Sequence, residues 1–178
     1  MPSNKETLFQ DHICAYLEEI HDYHALGADI DKQHHFIYDD IIAFVRATQA
    51  SKYEELQENF GSDTDREIIK ALQQESSKIP LWLIIRDGLT VKGTKVQLFA
   101  QQPRDKTNRE QEERYQQNKL TYKKEYYYNT KTQERIDLVI WLNGLPIIVI
   151  ELKHEDEGQN VDDAIYDSFL ERDLDNNL

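Results

Sequence analysis

The strongest pattern in the chain is RIDLVIWLNGLPIIVIELK, residues 135–153, where two apolar runs flank an Asn-Gly pair. Asn-Gly between apolar runs is the sequence signal of a tight hairpin, so two adjacent strands are predicted here. Helical spacing governs the start of the chain. Leu8, Phe9, Ile13, Leu17 and Ile20 predict an amphipathic helix over 4–25, with Ser3 and Glu6 as a capping box and Gly27 as its stop. Ile41, Ile42, Phe44 and Val45 predict a second helix near 39–50. Ile68, Ile69 and Leu72 predict a third over 63–77, ended before Pro80. The run LWLIIRDGLTVKGTKVQLFA, with Gly88 and Gly93 between apolar stretches, reads as strand, loop, strand. Residues 105–118 are polar and predict a surface helix; LTYKKEYYYN alternates as a strand. Val161, Ile165, Phe169 and Leu170 predict a closing helix. Helices, then strands, then a helix point to an α/β fold with a mixed sheet covered by helices.

At 178 residues the chain suits one domain spanning 1–178, with no repeat or low-complexity linker. Its single cysteine, Cys14, excludes an intramolecular disulfide and a cysteine metal cluster, and suggests a reducing, cytoplasmic setting. The first ten residues lack a secretory pattern, and no apolar run approaches the ~18 residues a membrane span needs. The net charge of −13 argues against a nucleic-acid partner until its distribution is read. Residues 1–85 carry −9 and residues 136–178 carry −9, whereas residues 86–135 hold 12 basic and 7 acidic side chains. That basic middle permits a phosphate-facing surface.

The hairpin also carries the candidate chemistry. Glu151 and Lys153 project to one side of their strand, because strand side chains alternate. Whether Asp137 joins them depends on the turn. A two-residue Asn143-Gly144 loop sets Asp137 opposite Ile150. An odd-length or bulged turn centred on Gly144 sets it opposite Glu151, with Cβ atoms roughly 5 Å apart. Two carboxylates so close resist joint ionisation unless a cation neutralises them, and hard oxygen ligands favour Mg²⁺. Bound metal polarises phosphoryl oxygens and acidifies water, and a lysine two residues on stabilises developing charge. The spacing alone favours ordinary ion pairing at a strand end over a metal site.

The surrounding residues are more specific. RIDLVIWLNGLPIIVIELKHEDEGQNVDDAIYD resembles the N-terminal endonuclease region of type I restriction enzyme R subunits, which show DLV, NGLP and ELK elements followed by GQ-x-V and DAI on a helix. ETLFQDHICAYL, FVRATQ and NKLTYKKEYYY are similar as well, so the likeness covers most of the chain. It implies a restriction-endonuclease-like fold of the PD-(D/E)xK superfamily, a mixed β-sheet flanked by helices. By that resemblance Asp137 and Glu151 are catalytic metal ligands, Leu152 offers its backbone carbonyl to the same Mg²⁺, and Lys153 is the catalytic lysine. Gln159 fits the GQ element as an auxiliary residue, whereas Asp167 and Ser168 stand where relatives carry Gln-Tyr, and His154 where they carry Asn.

The resemblance further implies a Mg²⁺-dependent type I site-specific deoxyribonuclease. Its partners are double-stranded DNA and the modification and specificity subunits. No GxxxxGK[ST] phosphate loop occurs, so ATP would enter only through a motor lying in a longer parent chain. Two alternatives stand beside this reading. One is a catalytically idle docking module; the other is a nuclease-fold protein acting on other DNA. Among further features, Lys119, Lys123, Lys124, Lys131 and Arg135, interleaved with tyrosines, form a candidate DNA-backbone surface. Glu6 is a candidate auxiliary ligand, although the capping box explains it without any such role. His21, His24, His34 and His35 lack a spaced ligand motif and read as polar surface residues.

Overall fold

The computed structural model describes residues 4–27, 29–104, 108–129, 131–132 and 134–152, with backbone alone for 4–6. Ser3, the closing helix and the Asp167–Ser168 pair lie outside these residues. The fold is mixed α/β, and the chain divides into two compact units.

The first unit holds residues 1–36, 120–141 and 146–178. Helix α1 spans Asn4–His21 and precedes a two-residue strand β1, His24–Ala25. The helix stops short of the Gly27 expected from sequence. Asp22 takes the left-handed conformation (φ 55°), and the Tyr23 N–H closes back on the Leu17 carbonyl at 3.1 Å. The left-handed Asp22 turns the chain out of the helix, in the conformation that glycine more often supplies at a helix end. Strands β4 (Leu120–Tyr127), β5 (Arg135–Leu142) and β6 (Leu145–Ile150) complete a four-stranded sheet in the order β1-β4-β5-β6. β1 runs parallel to β4, pairing His24 with Thr121, while β5 and β6 form the hairpin that the Asn-Gly signal predicted.

One sheet face packs on α1 through Cys14, Tyr122, Leu138 and Ile140, with Ile13, Leu17 and Ile150 at its edge. The helical stripe that faces the sheet is therefore Gln10, Ile13, Cys14 and Leu17. Leu8, Phe9 and Ile20, assigned to the apolar face from sequence, are exposed. On the opposite face Trp141 meets Tyr126 edge-on at 5.4 Å, and Tyr126 meets His35 at 5.7 Å. His35 is 1% exposed; its Nδ1 lies 2.8 Å from the Tyr126 hydroxyl, and its carbonyl accepts from Trp141 Nε1 at 2.7 Å. It is a satisfied core histidine rather than a surface one.

β4 changes its alternation part-way. Tyr122 and Lys124 reach α1 residues Glu18 and Asp11, and so does the next residue, Glu125, through Gln10. Tyr126 then turns to the Trp141 face. Glu125 sits at φ 50°, and this one-residue slip is a β-bulge in effect.

The second unit holds residues 37–119 and 142–145. It contains α2 (Tyr38–Thr48), α3 (Ala50–Phe60), a 3₁₀ turn (Gly61–Asp63), α4 (Thr64–Ser76), α5 (Leu81–Asp87), β2 (Leu89–Val91), β3 (Thr94–Val96) and α6 (Arg109–Tyr115). Its core includes Ile41, Phe44, Val45, Leu56, Ile68, Leu72, Ile84, Val96 and Leu98, all buried. α2, α4 and the short polar α6 match the sequence expectations. The apolar run LWLII does not: it is helix α5, not a strand. Pro80 precedes its first turn, where the missing N–H costs nothing, and the Leu83 N–H bonds to the Pro80 carbonyl at 3.0 Å. β2 and β3 pair as a hairpin over Leu89↔Val96 and Val91↔Thr94, turning at Lys92 and Gly93, both at positive φ. Gln49 is buried and clamps this segment, accepting from the Gln97 N–H at 2.7 Å and donating to the Gln97 carbonyl at 2.9 Å.

Candidate active site

The tip of the long hairpin determines what its open end can bring together. β5 ends at Leu142 and β6 begins at Leu145, so the loop is Asn143-Gly144 alone, with φ of 51° and 85°. Positive φ at both central residues is the type I′ turn, the even-length loop. The odd-length loop considered from sequence is thus not the one formed, and this turn by itself starts a ladder that sets Asp137 opposite Ile150.

Side-chain directions alter that register before the open end. Ile150 packs with Leu138 and Ile140 on the α1 side. An unbroken ladder from a two-residue turn would place Ile150 with Asp137, on the other face. Ile150 thus departs from the alternation such a ladder would impose, and Ile147 and Ile148 are exposed in succession along β6.

At the open end, Asp137 is half-buried in β5. Its Oδ2 accepts the Leu152 backbone N–H at 2.6 Å, which ties the carboxylate to the segment just past β6. Glu151 and Leu152, adjoining in sequence, are also half-buried. Lys153 and Gln159 lie outside the described residues, as does the side chain of Glu6 on α1. Among the described residues, no three His, Cys, Asp or Glu side chains cluster closely enough to hold a metal on their own.

Gln10 is a residue that sequence reasoning missed. It is 5% exposed on the sheet-facing stripe of α1, and its amide nitrogen donates to the Asp137 carbonyl at 2.6 Å and to Glu125 Oε1 at 3.3 Å. The signal was a glutamine three residues before Ile13 and four before Cys14, at a position where an apolar residue would be expected. Gln10→Ala is expected to cost about 1–3 kcal/mol, since it removes the donor from the half-buried carbonyl of the residue it steadies. Urea unfolding reads this directly, and a loss below about 0.5 kcal/mol would show the bond to be incidental.

The five candidate DNA-facing cations are differently engaged. Lys119, in the second unit, pairs with Asp40 at 2.7 Å. In the first unit, Lys124 pairs with Asp11 at 2.5 Å and Arg135 pairs with Glu125. Burial opposes the Arg135 charge, while Glu125, Tyr127 and Asp137 favour it, and the guanidinium is held above its ordinary range. Lys131 is exposed on a turn organised by Asn129, whose Oδ1 accepts the Lys131 N–H at 2.9 Å. Lys123 is half-buried and has a neighbour that sequence did not suggest. Lys32 stands 4.7 Å over the Tyr126 ring, with its pKa lowered by burial and then by the Lys123 charge.

The residues of the turn itself serve the second unit. Asn143 is 1% exposed and makes four bonds there. Its N–H and Oδ1 pair with the Lys119 backbone at 2.8 and 2.7 Å, and its Nδ2 donates to the Leu98 carbonyl and to Asn118 Oδ1, both at 3.0 Å. The Gly144 carbonyl accepts the Ile37 N–H at 2.9 Å at the start of α2.

Neither the curated proteins nor the solved structures include a match to this chain. The family model described as type I restriction enzyme R protein N terminus matches residues 20–176, from the end of α1 past the hairpin. The chain belongs to the family of type I restriction enzyme R protein N-terminal regions.

Proposed function

We propose that this chain is the Mg²⁺-dependent DNA endonuclease region of a type I restriction R subunit. The observation that carries the reading is the 2.6 Å bond from the Leu152 N–H to Asp137 Oδ2, which fastens the aspartate of β5 to the Glu-Leu-Lys segment in a chain of this family. The donor chemistry fits the ion. Asp137 and Glu151 offer carboxylates and Leu152 a carbonyl, the hard oxygen set that Mg²⁺ takes together with water and phosphate. A cation held there would polarise a phosphoryl oxygen and acidify a water.

The chain's own groups divide the remaining work. The Asp137 carboxylate is oriented by the Leu152 N–H, and its backbone is held by Gln10. Lys153 places an ammonium two residues past Glu151 to steady charge on the departing oxygen. Lys123 and Lys131 supply sequence-independent attraction for a DNA backbone. Lys119, Lys124 and Arg135 would have to exchange their carboxylate partners for phosphate. The modification and specificity subunits, a cytoplasmic setting and ATP use through a motor elsewhere in the parent protein belong to the same proposal.

Metal binding tests it without requiring cleavage. Titration with Mn²⁺, followed by electron paramagnetic resonance, is expected to show a site weakened more than about 100-fold by Asp137→Asn together with Glu151→Gln, beyond the loss that outer residues give. Unchanged Mn²⁺ binding in that double variant would defeat the ligand assignment.

A further inference from the structure

The second unit contains a cleft of about 500 Å³ whose described walls carry four cations and no carboxylate. Lys52 comes from α3, Arg86 from α5, Arg114 from α6, and Arg104 from the stretch that follows β3. Four separate elements thus hold the charges apart, where a single helix would stack them. In a chain of net charge −13, the cleft concentrates positive potential where the sum hides it.

The partners of these cations leave them available. Arg86 contacts Asp87 at 2.7 Å and stacks on Trp82, and Arg114 contacts Glu110 at 2.7 Å. Both ion pairs are solvent-exposed, so exchanging the carboxylate for a phosphate costs little. Lys52 donates to the Lys95 carbonyl at 2.6 Å, which fixes its ammonium without neutralising it. Gln101, Gln102 and Gln111 add neutral amide donors, and Phe44 and Phe99 give the cleft an apolar wall. Cations, amides and an aromatic wall are the lining that nucleic-acid backbones and their attached bases take.

We infer that this cleft is a second phosphodiester-binding site, one that grips DNA at a distance in sequence from the Asp137 hairpin. It extends the proposed function and does not depend on the metal site. Its contribution is sequence-independent affinity, and it is measurable with divalent ions chelated.

The test uses the full chain, a fluorescein-labelled 20-base-pair duplex and EDTA, with anisotropy recorded across a salt series. Lys52→Ala, Arg104→Ala and Arg114→Ala are each expected to weaken binding several-fold at low salt. Together they should reduce the slope of log K against log salt by about 2–3, roughly one for each phosphate no longer neutralised. Arg66→Ala with Lys70→Ala, cations of the same unit outside this cleft, should leave both quantities unchanged. Thermal melts of each variant show that it is folded. Equal affinity and slope in the triple variant would overturn the proposal and leave the Mn²⁺ assignment standing. Deoxyadenosine monophosphate displacing the duplex at matched phosphate concentration would also overturn it, by making the cleft a small-anion pocket. Loss of Mn²⁺ binding in the hairpin variant with duplex affinity intact would support the separation of the two sites.

Discussion

Gly144→Ala is expected to lower stability by about 3–5 kcal/mol, among the largest effects open to a single methyl group. Two costs combine. Gly144 has φ 85°, a conformation that costs a side chain roughly 1–2 kcal/mol. A Cβ built there would also stand 2.3 Å from the Ile37 carbonyl oxygen, 3.0 Å from Ile41 Cγ1 and 3.2 Å from Asp40 Cβ. Backbone cannot yield as a flexible side chain would, so the Ile37–Gly144 hydrogen bond and the first turn of α2 must shift. For a chain of this size, such a loss moves the melting point by about 10 °C. Differential scanning calorimetry measures it. A shift below about 2 °C would mean that the tip is not packed as described.

Asp137→Asn is expected to reduce DNA cleavage by the assembled parent enzyme at least about 10³-fold while leaving the chain folded. Asparagine keeps an oxygen able to accept the Leu152 N–H, so the 2.6 Å tie survives in kind and only the charge is lost. Asp137→Ala removes both and confounds the two. Linearisation of unmethylated plasmid by the complex gives the rate, and DNA binding by the same complex should persist. Cleavage retained within tenfold would remove Asp137 from the chemistry. Loss of cleavage with an unchanged melting point separates a catalytic role from a structural one.

The hairpin was readable because its signals are local. Asn143-Gly144 predicts a tight hairpin from backbone preference alone, and the turn has the positive φ values that pair favours. The slips of register were not readable. Glu125 at φ 50° breaks its strand's alternation without any Gly or Pro to announce it, and Pro146, directly before the exposed Ile147–Ile148 pair, is the one cue in β6 that sequence reading passed over. The face on which Asp137 meets the Glu151 segment depends on the alternation along β6, so spacing could pose the question but not answer it. α3 went unseen because Leu56 is its one buried residue, leaving almost no apolar period to detect. LWLII misled for the opposite reason. A short apolar run has no period, and Pro80 before it decides for helix only when read as a first-turn residue. Gln10 shows the value of a polar residue in an apolar stripe, which sequence reading passed over in favour of the charged Glu6. The basic cleft was invisible, since Lys52, Arg86, Arg104 and Arg114 are assembled by tertiary structure alone.

The position of the hairpin tip also imposes an order of assembly on the growing polypeptide. The second unit begins at Ile37, yet it is completed only by residues 142–145, which a ribosome releases long afterwards. Helices α2 to α4 and the β2–β3 hairpin rest on local contacts and can form as they emerge. The Leu98 carbonyl, the Lys119 N–H and the Ile37 N–H must wait for Asn143 and Gly144. Until then they face water or an improvised partner, and the unit lacks the bonds that close it. The Asn-Gly pair is thus the last piece fitted, and its arrival converts helices already made into a closed structure.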